Sequence, residues 1–136
     1  MKNKLSIFIF IIILSQVCYS QEKYDWKNIQ KVELYSFEKN KNIEGYNSKN
    51  LDQKSLIKCK SEMIIPYLNE LEKYKMDVLI EKKFYALRVF FPKSWTDFIY
   101  FPSQGVLFRM KNEEEYFAVI KKIEFNKLIE DFKKKK

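Results

Sequence analysis

Trp95, Tyr100, Arg88 and Lys93 place two large rings and two cations close together in the chain. Protein interfaces concentrate aromatic and basic side chains of this kind at their centres. In the run Phe84 to Phe91, alternation puts Tyr85, Leu87, Val89 and Phe91 on one face, so Arg88 projects from the other. Trp95 stands in Lys93-Ser94-Trp95-Thr96, a connection between apolar runs where the pattern requires no large ring. Tyr100 has no evident core duty in the same reading. These four residues are expected to bind another protein, as an inhibitor or an immunity-type protein does. A second reading is a carbohydrate- or ligand-binding module that uses the Tyr and Trp faces.

Catalytic sets are scarce. The chain has no histidine, which removes His-based acid–base catalysis, Ser-His-Asp and Cys-His nucleophiles and the common zinc ligand sets. Paired carboxylates hydrolyse glycosides without histidine. Asp77, Glu81 and Asp97 sit near strand ends, so a His-free hydrolase is the third reading, although no spacing marks a pair. The run Glu113 to Glu115 lacks the Asx-Gly loop of calcium sites, and no metal or cofactor is expected. Cys59 lies between Lys58 and Lys60, which would lower its pKa. Without a His partner it is read as a structural thiol. Phe84, Tyr85, Arg88, Phe108 and Arg109 interleave rings with bases, as single-strand binders do. Arg88 and Arg109 are the only arginines, however, and arginine is the usual bidentate phosphate ligand, so nucleic acid is not expected.

The basic excess is local. The 136 residues hold 26 Lys+Arg against 18 Asp+Glu. From residue 21 onward 24 basic residues face 18 acidic ones, and without Lys133 to Lys136 the balance is 20 against 18. The terminal lysines are read as a tail outside the fold, in weak contact with a membrane surface at most. Residues 1–20 have the parts of a secretory signal peptide: Lys2 and Lys4, the apolar run Leu5 to Leu14, and Cys18 and Ser20 before the cleavage point. That apolar run is too short to span a bilayer, which takes ~20 residues, and nothing after it is long and apolar enough. The protein is expected to be exported, periplasmic or extracellular. Lipidation at Cys18 is the minor variant, disfavoured by Val17 where a small residue is usual.

These residues need a scaffold, and 136 residues suffice for one domain. Ile29 to Glu38 alternates as a strand. Lys39 to Lys54, with four Asn and Gly45, reads as a polar loop. Ser61 to Lys75 has the best helical stripe, in Ile64, Tyr67, Leu68 and Leu71, with Ser61 as its cap and Pro66 near the start of the helix proper. Met76 to Glu81 alternates as a short strand. Phe84 to Met110 is cut by Pro92 and by Pro102 to Gly105, as a β-meander is. Asn112 to Ile123 balances a capping box against the strand-like Tyr116 to Ile120, and the strand is preferred. Phe125, Leu128, Ile129 and Phe132 form a second helical stripe. The expected fold is a single small α+β domain over 21–136. It has an antiparallel meander of four to six strands, a main helix at about 61–75 and a C-terminal helix at about 124–133, both packed on one face. Leu87, Val89, Phe91, Ile99 and Val106 are assigned to that face and the opposite face to solvent. Intact mass of the exported protein should place Gln21 at its N-terminus. A mature chain starting at lipidated Cys18 would contradict the leader assignment.

Overall fold

The computed structural model describes residues 24–37, 56–109 and 115–135. The leader, the polar loop 39–54 and the Asn112 to Glu114 run lie outside the described residues. Among the described residues seven strands are formed: β1 (Lys31–Phe37), β2 (Leu56–Ile57), β3 (Leu71–Tyr74), β4 (Phe84–Phe90), β5 (Trp95–Phe101), β6 (Val106–Arg109) and β7 (Tyr116–Val119). Two α-helices accompany them, α1 (Ser61–Leu68) and α2 (Lys122–Lys134). All strands join one antiparallel sheet in the order β2-β1-β4-β5-β6-β7-β3, so the α+β expectation holds.

Its centre is the meander β4-β5-β6-β7. Pro92 and Lys93 connect β4 to β5, and the Phe91 N–H donates to the Ser94 carbonyl at 2.7 Å. The fixed φ of proline suits the first central position of such a turn. Pro102 to Gly105 connect β5 to β6. Gly105 has φ +68°, a left-handed conformation that favours glycine, and its N–H donates to the Phe101 carbonyl at 2.8 Å.

The two-residue turn determines which residues share a face. It sets Phe90 opposite Trp95, Arg88 opposite Asp97 and Leu87 opposite Phe98. Leu87, Val89, Phe98, Tyr100, Leu107 and Phe117 thus belong to one buried cluster, together with Ile64 and Leu68 of α1 and Phe125, Ile129 and Phe132 of α2. Tyr24 and Trp26 anchor the N-terminal segment there, the Trp26 ring lying 5.1 Å from Phe98 and 5.4 Å from Phe117. Tyr35, Phe37, Phe84, Ala86, Ile99, Phe101 and Phe108 form a second buried cluster, joined by Leu56, Val78 and Tyr116. Ile99 therefore belongs to the opposite side from Leu87, and by the same register so does Val106. Neither side is the wet face expected. With 12 Phe and nine Tyr, the chain has enough rings to bury rows on both.

Other elements differ from the pattern reading. The first helix ends at Leu68 rather than near 75. Pro66 is inside it and not at its start, and the ring removes a helical hydrogen bond close to the C-terminus. Leu71 to Tyr74 instead pair with β7, Leu71 opposite Val119 and Tyr74 opposite Tyr116, which satisfies a backbone edge. Ser61 does not cap α1. Its hydroxyl accepts from the Val32 N–H at 3.0 Å and donates to the Val32 carbonyl at 3.2 Å, closing β1 where the short β2 does not reach. Met76 to Glu81 form no strand. α2 runs through Lys134, so the first two tail lysines belong to the helix, and Lys133 Nζ lies 3.4 Å from the Tyr85 hydroxyl.

Burial on both sides has a direct test. Ile99→Ala should cost about as much stability as Leu87→Ala, in the range of about 2–5 kcal/mol for a filled core site. Urea melts that show Ile99→Ala costing less than ~1 kcal/mol would return the second face to solvent.

Candidate binding site

The cross-strand register sorts the second face into rows. At the hairpin end lie Lys31, Phe90 and Trp95 on β1, β4 and β5. Next come Glu33, Arg88 and Asp97. Then follow the buried apolar residues, beginning with Tyr35, Ala86 and Ile99. The charged row thus separates an apolar interior from an aromatic and cationic margin.

Asp97 is the one buried charged residue among the described residues, 4% exposed. Its carboxylate accepts two hydrogen bonds from Arg88, Nε to Oδ1 at 2.8 Å and Nη2 to Oδ2 at 3.1 Å. This bidentate fork is the strongest ordinary geometry for such a pair. Its hydrogen bonds raise the pKa of the guanidinium, against the opposing effect of burial. Glu33 faces Arg88 from the other side, so negative, positive and negative groups alternate across three strands. The Tyr35 hydroxyl donates to Glu33 Oε2 at 3.4 Å.

Arg88 also lies under Trp95, its guanidinium carbon 4.5 Å from the ring centroid. Trp95 is 50% exposed. Its indole is an open aromatic surface backed by a cation that a buried carboxylate holds in place. Beside it Lys31 Nζ lies 5.4 Å from the Phe90 ring centroid. The margin therefore presents two rings, each with a cation, across neighbouring strands. Phe90 and Lys31 are additions to the sequence reading. Pairing Phe90 with Trp95 across a two-residue turn was the signal that could have found them.

Of the four residues predicted for the site, Arg88 and Trp95 touch and the exposed Lys93 stands in the hairpin beside them. Tyr100 does not belong there. It is fully buried in the cluster with the helices, its ring 5.0 Å from Phe125 and its hydroxyl donating to Asn126 Oδ1 at 2.5 Å. The register explains this, since Tyr100 is opposite Tyr85 and not on the parity of Trp95.

Two of the three proposed carboxylates are engaged elsewhere. Asp97 serves Arg88. Glu81 accepts from the Ser103 N–H at 2.9 Å, the Gln104 N–H at 3.1 Å and the Gln104 side-chain amide at 2.9 Å. Asp77 is exposed on an irregular connection. Cys59 is half-buried, with Sγ 3.7 Å from the Val32 carbonyl, and burial pushes its thiol pKa up rather than down. Among the described residues no cluster of His, Cys, Asp and Glu could hold a metal ion. No family model, no curated protein and no solved structure matches this chain.

Three buried phenols make stability depend on alkaline pH. Burial raises the pKa of Tyr100, Tyr85 and Tyr35 above the ordinary value of 10.0. All three are neutral below that pH in both folded and unfolded chain, so stability is complete there. As pH rises further the unfolded chain ionises while the fold resists, and stability falls. Tyr100→Phe should flatten this decline, at a loss of about 1 kcal/mol near neutral pH from the bond to Asn126. An unchanged alkaline melting profile would show that Tyr100 ionises freely.

Proposed function

We propose that this protein is a small exported, non-catalytic binding protein whose partner is another protein, gripped by the Trp95 corner of the sheet. The observation that carries the reading is the half-exposed indole of Trp95, stacked on an Arg88 that Asp97 fixes by two hydrogen bonds. Interface anchors are typically Trp, Tyr and Arg held in place before the partner arrives, because a preordered side chain loses little entropy on binding. Phe90, Lys31 and Lys93 extend the corner with further apolar and cationic contacts. A partner surface carrying carboxylates around an apolar pocket fits this chemistry. The engagement of Asp97 and Glu81 by fixed donors supports a binding role over the hydrolase reading. Among the described residues no helix is long and apolar enough to cross a membrane.

A photo-crosslinking residue at position 95 tests the site, with exposed Lys127 on α2 as the comparison position. Envelope proteins should be trapped from position 95 only, and excess unmodified protein should compete. Trp95→Ala should compete at least about fivefold less well, the equivalent of a loss above ~1 kcal/mol. Equal trapping from both positions, or equal competition by Trp95→Ala, would refute the assignment. Glycan binding that disappears in Trp95→Ala would replace it by the carbohydrate reading.

A further inference from the structure

The opposite end of the sheet has a different chemistry. The Pro102 to Gly105 turn lies there, and two exposed apolar segments are fastened to it. On one side the Leu79 N–H donates to Gln104 Oε1 at 2.9 Å, and the Gln104 amide returns a bond to the Leu79 carbonyl at 2.6 Å. Glu81 adds its bonds to Ser103 and Gln104, so residues 79–81 are clamped at both ends. On the other side the Val119 N–H donates to the Gly105 carbonyl at 2.8 Å, and Lys122 Nζ to the Ser103 carbonyl at 3.1 Å. Leu79 and Val119 are held by their backbone and Glu81 and Lys122 by their side chains, while the aliphatic side chains of Leu79, Ile80, Ile120 and Ile123 face water. Leu79 and Ile80 are 74% and 78% exposed, and Ile120 and Ile123 are 54% and 80% exposed.

Lysines surround them. Lys82, Lys83 and Lys133 line a cleft of about 500 Å³ together with Glu81, Tyr85, Ser103, Asn126 and Glu130. Lys121 and Lys122 stand between Ile120 and Ile123, and Lys134 ends α2 with Lys135 directly after it. Glu81 is engaged by backbone donors, and Glu130 accepts from the Tyr85 hydroxyl at 3.0 Å beside Lys133 at 3.6 Å. Among the described residues Lys133 is the only one of these lysines in an ion pair.

We propose that this end of the molecule docks on an anionic lipid bilayer, with Leu79, Ile80, Ile120 and Ile123 reaching into the headgroup boundary and the lysines meeting lipid phosphates. This surface is independent of the Trp95 corner. Four protruding aliphatic side chains on clamped connections and the first turn of α2, interleaved with long-stemmed lysines, have the layout of an interfacial anchor. Each lysine near an anionic surface adds attraction, and apolar side chains add burial that salt does not screen. A protein partner is the poorer fit. No Trp or Arg stands at this end, and the cleft beside the aliphatic residues is lined by charged and polar groups rather than shaped to hold an apolar knob.

Vesicle sedimentation of the protein as recovered from cells tests the proposal. The probes are vesicles of phosphatidylcholine alone and of equal parts phosphatidylcholine and phosphatidylglycerol. Binding should favour the anionic vesicles and fall in high salt. Leu79→Ser with Ile80→Ser should weaken binding at least about tenfold, from the lost apolar burial. Lys82→Gln with Lys83→Gln should weaken it about tenfold or more. Lys58→Gln with Lys60→Gln removes the same charge beyond a Debye length and should change binding less than about twofold. All these side chains are exposed, and such substitutions usually leave the fold intact. Equal binding to both vesicle types overturns the proposal, as does undiminished binding by the Leu79 and Ile80 variant. Loss with Lys82 and Lys83 alone would show a site for free anions instead, and also overturns it. An equal loss from Lys58 and Lys60 would reduce the effect to net charge and contradict it too.

Discussion

Burying the Asp97 carboxylate is the constraint that governs the second face of the sheet. An ionised carboxylate removed from water costs several kcal/mol unless it is paired and hydrogen-bonded. A donor directly across β4 and β5 is placed to satisfy both oxygens at once, and Arg88 occupies that position. The pair then constrains its neighbours. Arg88 cannot swing into solvent without stranding Asp97, so its guanidinium stays beneath the Trp95 ring. In the proposed reading a stability device and a recognition device share the same atoms.

The same row divides the sheet along its length. Beyond it Ile99 and the rings of Tyr35, Phe84, Phe101 and Phe108 pack into an interior that charge does not enter. On the near side Lys31, Phe90 and Trp95 meet water. At the far end of β5 the turn at Pro102 gathers Glu81, Gln104, Lys122 and Asn126 into a network of side-chain bonds to backbone. The two ends differ in residue type: Trp, Phe and Arg at one, aliphatic side chains and lysines at the other. As proposed, these different surfaces serve a protein partner at one end and a bilayer at the other.

The meander, the second helix and the preference for a strand near Tyr116 were legible from alternation, proline spacing and the stripe Phe125, Ile129 and Phe132. Arg88 and Trp95 were also legible, as a cation off the apolar face and a ring without core duty. The fate of Tyr100 was not, because its side of the sheet depends on the length of the turn at Pro92. A one-residue slip in register exchanges every side chain between faces, and the alternation of β5 alone reads equally well either way. Ile99 was misplaced for the same reason. The end of α1 was hidden because Leu71 satisfies both a helical stripe and a strand. The open edge of β7 decides between them, and that edge exists only in three dimensions. The clamp of Leu79 by Gln104 left no local pattern, since a glutamine amide bonded to distant backbone has no sequence period.

Trp95 held rigid before any partner arrives is the central claim, and nitrogen relaxation of the indole N–H measures it directly. The chain has two tryptophans, and Trp26 in the aromatic cluster is an internal reference. Although half exposed, the Trp95 indole should show an order parameter near that of rigid backbone, roughly 0.85, and Asp97→Asn should lower it below about 0.6 while Trp26 stays unchanged. A Trp95 indole already mobile in the unaltered protein, or one indifferent to Asp97→Asn, would contradict the account.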